Sequence, residues 1–312
     1  MTTTPLFPSG QQVEITHGHH RATIVEVGGG IRSLTVGGEP VFDGYGPDQM
    51  CSSARGQALV PWPNRLADGQ YDIDGEHLQV PLTEPEKHNA IHGLVRFANW
   101  AVGEQGPGRV VMTYRLHPQP GYPFVLDVSL DYRLGDDGLA VECRATNRGD
   151  RPCPVGAGAH PYLCLGTGGV SPLVLRSPGA TFYTSDARQI PTGRRSVEGT
   201  PNDFRDARPI GSTVLDTGFT DLDRGKDGRA VVELAEPEGA RRLRLWLDES
   251  YPYLMLYTGD TLPDPERRRQ SLGIEPMTCA PNAFRSGDGL RVLAPGETMA
   301  ATWGITTVGF PS

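Results

Sequence analysis

Cysteine is scarce in this chain of 312 residues. Only Cys51, Cys143, Cys153, Cys164 and Cys279 occur, and no two are spaced Cys-x-x-Cys. An odd number without paired spacing supports neither a disulfide framework nor a zinc ribbon. Reduced, mostly buried cysteines are expected. Positive charge is also short: 29 Lys and Arg stand against 37 Asp and Glu, a net charge of −8. That argues against nucleic-acid binding, which needs a basic face, and against an anionic membrane surface. No apolar run approaches the roughly 18 residues of a membrane span. The segment Met1-Thr2-Thr3-Thr4-Pro5 has neither the basic nor the apolar part of a secretory signal. A cytoplasmic protein without nucleic-acid or membrane partners is therefore expected. Phosphate-cradling loops and nucleophile elbows are missing too. Gly28-Gly29-Gly30 opens no helical pattern, so it is no dinucleotide fingerprint.

Glycine and proline are abundant, at 40 and 28 residues. An interior Gly costs a helix about 1 kcal/mol and a Pro about 3, so helical bundles and coiled coils are excluded. The glycines have no three-residue period, which excludes collagen. Period-2 alternation takes the place of helical patterning. Phe124, Leu126, Val128, Leu130, Tyr132 and Leu134 alternate with polar residues, as a strand with one buried face does. After Gly135-Asp136-Asp137-Gly138 the alternation resumes at Leu139, Val141, Cys143 and Ala145, which predicts a β-hairpin. Further strands are expected at 22–27, 31–36, 110–116, 231–234, 243–247, 254–258 and 298–308. Residues 184–212 lack strand signals and read as a long surface excursion. No composition shift divides residues 1–312, so one all-β domain is expected, a large antiparallel sandwich or barrel.

Two clusters suggest chemistry but have plainer readings. His17, His19 and His20 lie in a polar segment with no carboxylate at ligand spacing, and read as solvated loop histidines. Arg267-Arg268-Arg269 reads as a solvated loop. Three sites carry more. In Asn89-Ala90-Ile91-His92-Gly93, a histidine beside glycine lets a ligand approach closely. In Gly156-Ala157-Gly158-Ala159-His160-Pro161-Tyr162, small residues surround one histidine, and Pro161 biases it towards extended backbone. In Ser271-Leu272-Gly273-Ile274-Glu275-Pro276-Met277, a single carboxylate sits among apolar neighbours. A buried carboxylate must be paired or functional, and burial raises its pKa towards that of a useful base.

In this order, these three sites resemble the aldose 1-epimerase (galactose mutarotase) family. Trp62-Pro63-Asn64-Arg65-Leu66, the Asp203-Phe204-Arg205 turn, Leu215-Asp216-Thr217-Gly218-Phe219 and Tyr257-Thr258-Gly259 resemble further family segments. The resemblance runs from about residue 25 to residue 285. It implies a galactose mutarotase-like supersandwich and interconversion of the α and β anomers of a free sugar through the open chain. By the resemblance, Glu275 is the general base, His160 the general acid and His92 an assistant near the ring oxygen. Arg65, Asp216, Tyr162 and Asn64 would bind the sugar, an aldohexose such as glucose or galactose. Neither a metal nor another cofactor is implied, and a monomer or homodimer is expected. Met255 departs from the family pattern, in which many members carry Gln, so galactose specificity does not follow. Two alternatives share the fold: a hexose-phosphate mutarotase, for which Arg65 and Arg96 are candidate phosphate ligands, and a non-catalytic carbohydrate-binding protein. A glycosidase using Asp216 with Glu275 is a further alternative.

Overall fold

The alternation that begins at Phe124 becomes the strand Leu126–Gly135, which pairs along its length with Gly138–Asn147 across a two-residue turn. This hairpin lies within a nine-stranded sheet in the computed structural model, which describes residues 6–166 and 168–310. The segment Met1–Pro5 lies outside the described residues. From edge to edge the sheet runs Ala101–Gly106, Arg109–Leu116, the hairpin, Thr298–Val308, Arg242–Leu247, Ala230–Ala235, Val174–Arg176 and Arg208–Pro209.

A second large sheet has eight strands. Its order is Pro191–Ser196, Gly179–Ser185, Asp216–Leu222, Tyr253–Tyr257, Leu272–Met277, Gly158–Ala159 and Ala58–Leu59, and Tyr162–Leu163 also pairs with Leu272–Met277. Pairing within both sheets is antiparallel. Gln12–His17, His20–Val25, Ile31–Val36 and Glu39–Pro40 form a smaller sheet.

One apolar cluster joins the two large sheets. It holds Leu126, Val128, Leu130, Leu243 and Leu245 from the first, and Phe219, Leu254, Leu256 and Ile274 from the second. Full burial of such side chains stabilises by about 1.5–3 kcal/mol each. The fold is thus the all-β antiparallel sandwich that the alternation and the resemblance imply. The single α-helical turn among the described residues is Ala283–Ser286. No helix of the described residues is long and apolar enough to cross a membrane.

Three expectations are corrected. Residues 184–212 are not all loop: Pro191–Ser196 is an edge strand on Gly179–Ser185. It shows no alternation because five of its six residues are exposed. The histidines are not all solvated loop residues. His17 and His20 end and begin paired strands. His17 meets Asp136 at 2.7 Å, and His20 is buried against the Thr307 hydroxyl. Of the three arginines, two are half-buried and anchored, Arg267 to Asp43 and Arg269 to Asp260 and the Gly211 carbonyl, whereas Arg268 is exposed, as expected, and donates to the Leu262 carbonyl. The cysteines are free, and all but Cys164 are buried, as expected.

Candidate active site

Glu275 lies on Leu272–Met277, a strand buried along its whole length. On one side the strand pairs with Tyr253–Tyr257, which sets Met255 opposite Glu275. On the other side its partner is interrupted. Gly158 pairs with Met277 and Tyr162 with Gly273, and the His160-Pro161 step falls between them. Pro161 has no N–H for a ladder bond, although its carbonyl still accepts from Ile274 at 3.0 Å. The gap lies opposite Glu275, and His160 occupies it. His160 Nε2 stands 3.2 Å from Glu275 Oε1, while His160 Nδ1 and Glu275 Oε2 are buried without partners. Gly158 is needed here, because a Cβ would meet Pro63 at 2.8 Å and the Pro276 carbonyl at 3.0 Å.

His92 arrives from the strand Asn89–Ile91, in left-handed backbone at φ 63°. Gly93 follows with φ 69°, and a Cβ there would lie 2.1 Å from the Val60 carbonyl oxygen. The His92 amide donates to the Asn64 carbonyl at 2.9 Å, and the Asn64 amide donates to His92 Nδ1 at 3.2 Å. Nδ1 is therefore an acceptor, and a neutral His92 carries its proton on Nε2. The His92 ring meets that of His160 edge-on at 5.2 Å.

All seven predicted site residues line one cleft of about 670 Å³: Asn64, Arg65, His92, His160, Tyr162, Asp216 and Glu275. That lies within the roughly 300–1,000 Å³ of ligand pockets. Their settings differ from the expectation in two cases. The Tyr162 ring stacks on His160 at 4.8 Å, and its hydroxyl donates to the Ser53 carbonyl, so this residue braces His160. Arg65 is held by Glu84 in a bidentate pair, with both bonds at 2.8 Å, and both side chains are about a tenth exposed. Two Arg65 nitrogens are thereby committed, which leaves Nη1 for a ligand.

The electrostatics follow from burial. Glu275 is 2% exposed. Burial first, then the Asp216 charge, pushes its pKa up to about 8, against the opposing pull of Arg65. Burial likewise brings His160 down to about 3, helped by the nearby Arg96 and Arg55 guanidiniums. His92 is held well below its ordinary value, mainly by burial and then by His160. Asp216 is raised by burial. Burial thus favours the neutral form of each partner in the resting His160–Glu275 pair, carboxyl beside imidazole.

Residues 11–306 match the family model described as aldose 1-epimerase. The chain belongs to the aldose 1-epimerase family. It is 34% identical over 298 residues to the uncharacterized protein YihR of Escherichia coli, covering 95% of this chain and 93% of YihR. It is 28% identical over 225 residues to the E. coli aldose 1-epimerase, covering 66% and 64%. Among solved structures, the aldose epimerase homologue from C. elegans superposes with TM-score 0.84 at 20% identity, covering 95% of this chain and 98% of the other. Galactose 1-epimerase from Lactobacillus acidophilus gives 0.80 at 19%, covering 95% and 93%. The family places this protein among the isomerases, with a mutarotase-type function on a sugar.

Within this cleft, several residues escape the sequence reading. Glu84 lies five residues before Asn89 and pairs with Arg65. A buried arginine demands such a partner, but sequence spacing does not say which acid supplies it. Leu262 and Ser53 line the cleft without any sequence signal, beside Met255 and Tyr257, which the resemblance singles out. His92, His160 and Glu275 offer one ligand atom each within 4.8 Å of one another, the donor types of a transition-metal site. The fit is poor. A metal-bound histidine normally donates its second nitrogen to a partner, whereas His160 Nδ1 has none.

Proposed function

We propose that this protein is an aldose 1-epimerase that opens and recloses a free aldopyranose with Glu275 as base and His160 as acid. The observation that carries this reading is the 3.2 Å contact between Glu275 Oε1 and His160 Nε2 at a buried wall of a sugar-sized cleft. Hemiacetal opening removes one proton and delivers another, at two neighbouring oxygens of the same sugar. Glu275 takes the proton from the C1 hydroxyl. The C1–O5 bond breaks as the C1 carbonyl forms, and His160 delivers its proton to O5. Rotation about C1–C2 presents the other carbonyl face, and the reverse transfers close the ring.

The reactive pair is carboxylate with imidazolium, one proton shifted across the 3.2 Å contact from the resting pair. Both arrangements are neutral overall, so the shift changes no net charge in the cleft. His92, with its proton on Nε2, donates towards the ring oxygen. Arg65 Nη1 and Asp216 hold sugar hydroxyls, and Asn64 orients His92. Each step is a proton transfer, and none calls for a redox group. A free sugar and unpaired cysteines suit a cytoplasmic enzyme.

Polarimetry and exchange NMR on freshly dissolved α-D-glucose and α-D-galactose test the proposal. Glu275→Gln and His160→Gln are each expected to lose about 10²–10⁴-fold in rate, the usual contribution of a positioned acid or base. Equal rates for wild type and Glu275→Gln across a broad sugar panel would sink the mechanism.

A further inference from the structure

The cations that line the cleft are Arg65, Lys87 and Arg96. Arg65 and Lys87 both meet Glu84. Arg55, behind Tyr162, meets Asp43. Arg96 has no acidic partner among the described residues. Its Nη2 reaches only the Ile91 carbonyl at 3.3 Å, and its Nε is buried without any partner. The rest of this half-buried guanidinium lies over the Phe97 ring at 5.2 Å; leaving such a charge without an acid is costly, and burial lowers its pKa.

The two arginines of the cleft differ in the acids around them. Arg65 feels Glu84, Asp216 and Glu275. Arg96 feels none of these acids, and instead acts on His160 and His92. Both arginines act on the two histidines, but only Arg96 does so without an acidic partner of its own. Ser53 and Ala54 line the same cleft, with consecutive left-handed backbone at φ 53° and 58°. Neither amide donates to an acceptor within the described residues. Free successive amides in such turns favour anions.

We propose that the sugar taken by this cleft carries an oxyanion on C6, bound by the Arg96 guanidinium. This rests on the mutarotase reading above. That reading puts His160 at the ring oxygen, O5 is bonded to C5, and C5 carries C6. A substituent on C6 is thus the part of the sugar that reaches the cation beside His160. The planar guanidinium fork matches carboxylate, sulfonate and phosphoryl oxygens alike. The anion has a second effect. After burial, the Arg96 charge helps to hold His160 deprotonated. Neutralising it removes one of the charges that oppose passage of the Glu275 proton to His160, so the substrate's own charge eases formation of the carboxylate–imidazolium pair.

The test measures anomer exchange by NMR for α-D-glucose, D-glucuronate, D-glucose 6-phosphate and the 6-deoxy-6-sulfonate of D-glucose. Wild type, Arg96→Gln and Arg96→Lys are compared. Wild type is expected to favour at least one anionic sugar over glucose in kcat/KM, and the preferred arm identifies the anion. Arg96→Gln should cut the anionic-to-neutral ratio by about 10–100-fold, the worth of hydrogen bonds to a charged group. Arg96→Lys, which keeps the charge but loses the fork, should fall between. Part of the effect should lie in kcat, because His160 is affected. Glucose preferred over all three anions, or a ratio unmoved by Arg96→Gln, overturns the proposal. If Glu275→Gln exchanges every sugar as fast as wild type, the mutarotase reading fails instead. Calorimetry then decides the anion site by itself. Binding of an anionic sugar that Arg96→Gln abolishes upholds it, and absence of binding to wild type rejects it.

Discussion

Glu275 Oε1 and His160 Nε2 stand 3.2 Å apart, and burial moves their titrations in opposite directions. The carboxyl rises from 4.5 to about 8, and the imidazole falls from 6.5 to about 3. Each partner therefore prefers its neutral form in the folded chain.

The pair shapes stability against pH. Between about pH 3 and 6.5 the unfolded chain binds a proton on His160 that the folded chain does not, so this group makes stability rise with pH. Between 4.5 and about 8 the folded chain holds a proton on Glu275 that the unfolded chain releases, so this group makes stability fall with pH. The two slopes oppose each other where they overlap, and above pH 6.5 only the Glu275 loss remains. Glu275→Gln should remove that loss. Urea melts at pH 6.5 and 8 should show wild type losing on the order of 1 kcal/mol per pH unit relative to the variant. Parallel behaviour of the two proteins over that interval would contradict the raised carboxyl.

The Arg65–Glu84 pair yields a prediction about coupling. Both side chains are about a tenth exposed and share two 2.8 Å bonds. Removing one partner strands a buried charge, which costs about 3–5 kcal/mol. Arg65→Met and Glu84→Leu should each destabilise by amounts of that order. The double variant should recover much of the loss, because neither member of the pair is then left as a stranded charge. A double-mutant cycle from denaturant melts measures the coupling. Strictly additive losses would show that the pair does not act as a unit. The double variant should still bind sugar weakly, since Arg65 Nη1 is gone.

Much of this fold and site can be read in the sequence, and what cannot has a physical cause. Strands such as Ile31–Val36 and Thr298–Val308 match their expected bounds, because one face of each is buried and alternation records that. Pro191–Ser196 escapes because it is an exposed edge, held by backbone pairing that leaves no apolar period. Glu275, His160 and His92 stand out as polar residues among small or apolar ones. Their convergence depends on strand register and on a proline gap, which no local window contains. Glu84, Asp43 and Asp260 show the same limit for charges. Each satisfies an arginine distant in sequence or set by a loop, so the arginines look solvated until the chain is folded.

Met255 offers the last prediction. It sits opposite Glu275 in register, is 5% exposed, and lines the cleft. Its neighbours in a small apolar cluster are Tyr183, Tyr253, Met277 and Ala280. A glutamine has similar volume and would bring an amide to the same wall. Burying that amide without a sugar costs stability, by about 1–3 kcal/mol if it finds no partner. With sugar bound, the amide gains a hydroxyl partner, worth about 0.5–1.5 kcal/mol. Met255→Gln should therefore lower Tm in the free protein and lower KM for hydroxyl-rich aldoses by about two- to tenfold. Its kcat should change little, because the amide binds sugar and transition state alike. The test is exchange NMR over a range of glucose concentrations, together with melts with and without sugar. A fall in kcat at constant KM would mean that Met255 instead tunes the neighbouring carboxyl, and a shifted pH profile for the variant would confirm that outcome.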